Sequence, residues 1–135
     1  MTNGAETLLD FRINKITADP RCTGDPSAEP ENGHFIVLDV EIETFDGVRA
    51  ATYESGFTML PMEFKTIGAD GKTSNADPGT FGAFSCLRDA EQLPGELGDN
   101  ESAEGQLVLD VADPSGTLVY ENMFIETGGA WEWSY

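Results

Sequence analysis

Residues 34–44 read His-Phe-Ile-Val-Leu-Asp-Val-Glu-Ile-Glu-Thr, with Ile36, Leu38, Val40 and Ile42 on one parity and Asp39, Glu41 and Glu43 on the other. A repeat of two is the side-chain period of a β-strand. Charge confined to one parity means that one face meets a core and the other meets water, as in an antiparallel sheet. This predicts a strand over His34–Thr44. The same period runs through Thr7 to Ile16, where Leu9, Phe11 and Ile13 alternate with Asp10, Arg12 and Asn14, and through Gln106 to Val111, where Leu107, Leu109 and Val111 point inward. Shorter strands are expected over Arg49 to Phe57, Met62 to Ile67, Thr73 to Asn75, Thr117 to Glu121 and Trp131 to Tyr135, with Thr80 to Leu87 extended and Asp89 to Gly105 an acidic linker. No long window carries a helical period; the nearest, Asp89 to Leu97, is interrupted by Pro94 and Gly95.

Turn residues fall between these runs. Asp46-Gly47 ends the clearest strand, Ala69-Asp70-Gly71-Lys72 reads as a hairpin turn needing positive φ near Gly71, and Asp113-Pro114-Ser115-Gly116 places Pro where its fixed φ suits a turn. Without intervening helices, crossovers to a parallel sheet are not expected. The fold class is therefore all-β: an immunoglobulin-like antiparallel β-sandwich of about seven to nine strands, with a small closed barrel as the alternative. One domain is expected over residues 7–135, preceded by a linker at residues 1–6. Its 135 residues are enough to bury roughly two-thirds of the unfolded surface without a metal or a dense disulfide framework.

Asp and Glu outnumber Lys and Arg 25 to 7, a net charge of −18. That balance excludes nucleic acid as a partner, because phosphate binding needs clustered bases, and it opposes anionic membrane surfaces. No stretch approaches the ~18 consecutive apolar residues of a membrane span. The opening Met1-Thr2-Asn3-Gly4 lacks a basic n-region and an apolar h-region, so the chain reads either as cytoplasmic or as the mature part of an exported protein.

Chemistry-bearing residues are few. Cys22 and Cys86, with His34 as the one histidine, do not make a zinc site. They read first as a structural disulfide, which goes with export; two buried thiols, or a reactive thiol with His34 as its base, are the alternatives. No nucleophile elbow accompanies His34, which is expected to sit exposed at a strand edge, and no carboxylate pair is marked out at glycosidase spacing. An enzyme is not expected, and neither are cofactors. The acids around Asp70–Asn75 fail the EF-hand pattern; Asp77, or Asp89, Glu91, Asp99 and Glu101, would have to build any calcium site from loops, and a solvated acidic face is the plainer reading. Asn100-Glu101-Ser102 matches the glycosylation sequon, which has meaning only in a eukaryotic secretory host.

The C-terminal Gly128-Gly129-Ala130-Trp131-Glu132-Trp133-Ser134-Tyr135 is the most distinctive segment. Trp131, Trp133 and Tyr135, spaced i, i+2, i+4, fit a last strand burying its aromatic side, with Glu132 and Ser134 to solvent. An aromatic platform that stacks sugar rings is the alternative.

Gly33 to Glu43, the hairpin Ile67 to Thr73, the later Gly105–Val111 and Gly116–Tyr120, and the ending Gly129-Ala130-Trp131-Glu132-Trp133 together resemble the telokin-like, immunoglobulin-like domains of unknown function in bacterial, especially actinobacterial, lipoproteins and secreted proteins. The mycobacterial immunoprotective extracellular proteins are related to these in fold. The resemblance runs from Thr7 to Tyr135, with Asp99 to Glu104 a local lengthening. It implies that Cys22 pairs with Cys86, in its Ser85-Cys86-Leu87 context, and that the protein is secreted or held at the cell surface, where proteins of this kind can carry a lipid anchor upstream; membrane attachment itself is not read from this chain. It supplies no catalytic residues. The resulting expectation is a non-enzymatic extracytoplasmic module that binds a protein or cell-envelope partner, with a carbohydrate-binding module using the C-terminal aromatic face as the second reading.

Overall fold

The computed structural model describes residues 1–3, 6–122, 125 and 130–135. Its strands are β1 (Thr2–Asn3), β2 (Glu6–Thr7), β3 (Leu9–Ala18), β4 (His34–Thr44), β5 (Phe64–Ile67), β6 (Ser102–Val111), β7 (Thr117–Tyr120) and β8 (Trp131–Ser134). Two short helices interrupt them, α1 (Val48–Ala51) and α2 (Phe81–Ser85), with single 3-10 turns at Pro61–Glu63 and Asp89–Glu91. The strands form two antiparallel three-stranded sheets, β3-β4-β6 and β5-β7-β8, and a two-stranded ribbon, β1-β2. The chain is thus all-β, as its period-two segments require. The residues expected as a linker take part in packing: β1 pairs with β2, the Met1 side chain is buried, and its ammonium donates to the Leu9 carbonyl at 2.6 Å. Gly4 and Ala5 lie outside the described residues.

β4 is the central strand of the first sheet, with the bounds that its alternation predicts. Ile36, Leu38, Val40 and Ile42 enter the main core, which also takes Leu109 and Val111 from β6, Phe64 from β5, and Leu118 and Tyr120 from β7. The inner faces of both sheets therefore share one apolar cluster. Each fully buried aliphatic side chain contributes about 1.5–3 kcal/mol. On the opposite face, alternation and burial part company. Asp39, Glu41 and Glu43 stay at least partly exposed, whereas Phe35 and Val37 are buried in a second cluster with Ala83, Cys86, Leu87 and Val108. One end of this face is wet; the other is roofed.

β3, at the sheet edge, holds a β-bulge. Ile13 pairs with Val40 and Lys15 with Asp39, leaving Asn14 unpaired. Leu9, Phe11 and Ile13 face the core on odd positions; were Asn14 paired in regular alternation, Lys15 would follow them inward. The bulge resets the parity, so Ile16 opposes Leu38 and Lys15 opposes Asp39.

Five expectations are corrected. Arg49 to Phe57 is not a strand: Gly47, at φ 97°, turns the chain into α1, whose buried Val48 plugs the core, and the Thr52 hydroxyl donates to the Val48 carbonyl at 2.8 Å. Thr80 to Leu87 is not extended: it forms α2, capped by Thr80, whose hydroxyl accepts from Ala83 N–H at 3.4 Å. Asp89 to Gly105 is only in part a linker, because β6 starts at Ser102, its early residues pairing with Glu41–Glu43. The strand expected from Met62 begins at Phe64, after the turn set by Pro61, and Thr73–Asn75 is no strand, Thr73 making only a single bridge to Ile67. In the Ala69–Lys72 turn, Gly71 has the positive φ expected, at 81°.

Candidate functional site

The roof over β4 is built from the segment between β3 and β4, together with α2, and three devices hold it. The first is a disulfide between Cys22 and Cys86, 64 residues apart in sequence with Cα atoms 4.6 Å apart, so the bridge chosen from cysteine count and compartment is present. Neither sulfur is available for His34 to activate. His34 Nδ1 instead lies 2.7 Å from Asp19 Oδ1 at the partly exposed end of β4. The second device is backbone pairing, with Gly24 N–H donating to the Cys86 carbonyl and Asp25 N–H to that of Ser85.

The third is the buried carboxylate of Asp110 on β6. It accepts from Glu31 N–H at 2.7 Å, Asn32 N–H at 3.0 Å and the Thr80 hydroxyl at 2.6 Å, tying both halves of the roof to the sheet. Asn32 Nδ2 adds donations to the carbonyls of Asp77 and Asp110. Gly82 allows the close approach: a Cβ there would sit 2.5 Å from the Glu29 carbonyl oxygen.

With Ala83, Cys86 and Leu87 facing in, α2 turns Phe81 and Phe84 out, 80% and 52% exposed. Met62 is 55% exposed. A Cβ on Gly79 would lie 3.4 Å from Pro61 Cβ and 3.8 Å from the Phe84 ring, so the Pro61-Met62 turn adjoins the helix. Sequence reasoning missed this surface. The available signal was Phe81 and Phe84 at a spacing of three, which on an extended segment has no meaning and on a helix marks neighbours.

On the aromatic strand β8, Trp131, Trp133 and Tyr135 are half-buried against the main core, while Glu132 and Ser134 are exposed. Trp131 meets Phe11 edge to face at 5.1 Å, Phe11 meets Tyr120 likewise at 5.4 Å, and the Trp133 ring is 6.1 Å from Phe11. The indoles are engaged with the core yet not sealed from water. The Tyr135 hydroxyl donates to the Asp113 carbonyl at 3.2 Å, and burial raises its pKa. Gly128 and Gly129 lie outside the described residues. Beneath this seam a polar group is buried with its partners: Glu63 accepts from Leu60 N–H at 3.0 Å, Asn122 Nδ2 at 2.9 Å and the Tyr120 hydroxyl at 3.3 Å. Desolvation, with Glu63 next, pushes the Tyr120 phenol well above its ordinary value.

The loop carboxylates considered for calcium are turned to protein donors. Asp99 accepts from Arg49 N–H at 3.0 Å, which lowers its pKa, and Glu101 accepts from Gly98 N–H at 2.6 Å. Glu91 accepts from the Thr23 hydroxyl and from Arg88, the first being the larger cause of its lowered pKa. No group of three or more His, Cys, Asp or Glu converges as for a metal ion among the described residues. Asn100, the sequon residue, is exposed with φ 58°, its Nδ2 donating to Asp46 Oδ1 at 2.7 Å. No described helix is long and apolar enough to cross a membrane. No family model, curated protein or solved structure matches the chain.

Proposed function

We propose that this chain is a non-enzymatic, extracytoplasmic module with an immunoglobulin-like β-sandwich fold that binds a protein or cell-envelope partner. Two antiparallel sheets sharing one core support the sandwich reading. The observation that carries the function is the disulfide-fastened roof: a loop and a helix, stapled by Cys22–Cys86, hold exposed apolar side chains rigidly away from a β scaffold. Recognition surfaces on β folds are built this way, on segments positioned by a rigid frame. The disulfide also supports export, since such bonds persist in oxidising compartments. A lipid anchor upstream goes with that placement.

The test is binding of an envelope fraction to the oxidised, immobilised protein and to a Cys22→Ser/Cys86→Ser variant. Saturable capture that depends on the bridge is expected. Equal retention by both proteins, or none, overturns the reading.

A carbohydrate-binding module is the second reading, favoured by the half-exposure of Trp131 and Trp133. Titration of oligosaccharides against tryptophan emission decides it: a saturable shift abolished by Trp133→Ala establishes a sugar platform, and an unchanged spectrum removes it.

A further inference from the structure

Of the four large apolar side chains exposed among the described residues, Tyr53, Met62, Phe81 and Phe84, two lie together on one short helix. Phe81 and Phe84 are one turn apart on α2, and Gly79 lies between the Phe84 ring and Pro61. The inward anchors Ala83, Cys86 and Leu87 already hold the helix, so two phenylalanines facing water add little to the fold. Apolar groups clustered on a rigid element mark a contact surface.

The charges around the patch are of one sign. Asp77 is exposed, its Oδ1 3.4 Å from where a Gly79 Cβ would sit. Glu29, also exposed, runs along Gly82, and Asp25 pairs through its backbone with Ser85. Arg21 and Arg88 flank the disulfide cysteines at the far end of the helix. Arg88 is committed to Glu91. An apolar centre within an acidic rim fits an occupant that is apolar at its centre and basic at its margin. A second copy of this chain, at −18, is the opposite of that, and so is an anionic bilayer.

We propose that the Phe81–Phe84 face of α2 docks a segment of another protein carrying Lys or Arg beside apolar side chains. The proposal rests on the binding-module reading above and names the surface and partner chemistry within it. The phenylalanines enter the partner's apolar contacts, and Asp77, Glu29 and Asp25 steer its cations.

The experiment is a display selection of random peptides of about 12 residues on the oxidised protein, with counter-selection on Phe81→Ser/Phe84→Ser. Recovered peptides are expected to be enriched in Lys or Arg together with Leu, Ile or Phe, and to bind the double variant at least about tenfold more weakly. Affinity should fall several-fold between about 0.05 and 0.5 M salt, and with Asp77→Asn/Glu29→Gln. Circular dichroism and thiol counting verify that the variants keep their fold. Should the double variant be unfolded, photocrosslinking of the peptides to the unaltered protein must map to residues 81–84.

Recovery of no variant-sensitive peptide, of acidic or uncharged ones, or of crosslinks elsewhere overturns the proposal. So does a dimer in sedimentation, or flotation with phosphatidylcholine or phosphatidylglycerol vesicles, that the double variant abolishes. Envelope capture undiminished in Phe81→Ser/Phe84→Ser sinks this surface and leaves the module reading standing. Loss of all capture by the unaltered protein sinks the module reading itself.

Discussion

The Thr80 hydroxyl donates to Asp110 Oδ2 at 2.6 Å across the join between the roof and the first sheet. Because the same carboxylate receives the Glu31 and Asn32 amides, one side chain on β6 registers α2 and the long loop against each other.

Asp110→Asn should therefore cost about 2–3 kcal/mol, since an amide NH2 in place of one oxygen faces donors. Thr80→Val should cost about 1–2 kcal/mol, and the double variant less than the sum, because both remove one bond. Denaturant titration of the four proteins measures this; strict additivity would show that the two side chains act separately.

The bridge gives a second prediction. Closing a 64-residue separation stabilises the fold by about 4 kcal/mol in the chain-entropy view, and Cys22→Ser/Cys86→Ser should lose much of that. The loss should start in the roof. Limited proteolysis under reducing conditions is expected to cut within residues 19–33 before any site in β4 or β6. Simultaneous cleavage throughout would mean that roof and sheets open as one unit.

Alkaline pH supplies a third. Burial and Glu63 raise the folded-state pKa of Tyr120 above its ordinary 10.0. Protonated Tyr120 is thus the form that the fold holds, and its contribution is undiminished below pH 10. That contribution is lost progressively as pH climbs from there toward the raised folded value. Phenolate absorbance from Tyr120 should appear only with loss of the near-ultraviolet circular dichroism, and Tyr120→Phe should flatten this alkaline decline. Early phenolate formation in a still-folded Tyr53→Phe/Tyr135→Phe protein would refute it.

The aromatic strand gives the fourth. Trp131 and Trp133 are half-buried, so each change to Ala should cost about 2–3 kcal/mol, less than the ~3–5 of a sealed aromatic, and lower the melting temperature accordingly. Native emission should be partly accessible to acrylamide. Melting temperatures unchanged in both variants would move these rings out of the core and into a ligand role.

The legible parts of the fold were those where one face decides everything. β4 follows its alternation from His34 to Thr44 because Ile36, Leu38, Val40 and Ile42 have one place to go. α2 was not legible, because a capping Thr80 alone does not demand it. Phe81, Gly82 and Phe84 are indifferent helix formers, and the helix exists because Thr80 caps it, Cys86 is tied to Cys22, and Gly82 slips against Glu29. The last two are contacts across the sequence. For the same reason the exposed phenylalanines were hidden: read as extended, Thr80–Leu87 offers no face on which they adjoin. The cysteine pair needed only a count and a compartment, whereas Asp110 looked like any acid at the end of a strand.

Asn14, the residue that resets the parity of β3, bears on what happens when the protein's charge is gone. Near neutral pH, mutual repulsion keeps molecules apart, but as carboxylates protonate toward about pH 4 that barrier disappears. What then guards the edge of the first sheet is geometry: a kinked outer strand carrying Arg12 and Lys15 toward solvent offers a poor template for another chain's backbone. Removing Asn14 would close the bulge with the other pairs kept, Lys15 still opposite Asp39, and leave a straighter, flatter border, so a one-residue deletion stands to make the uncharged protein readier to pair edge to edge.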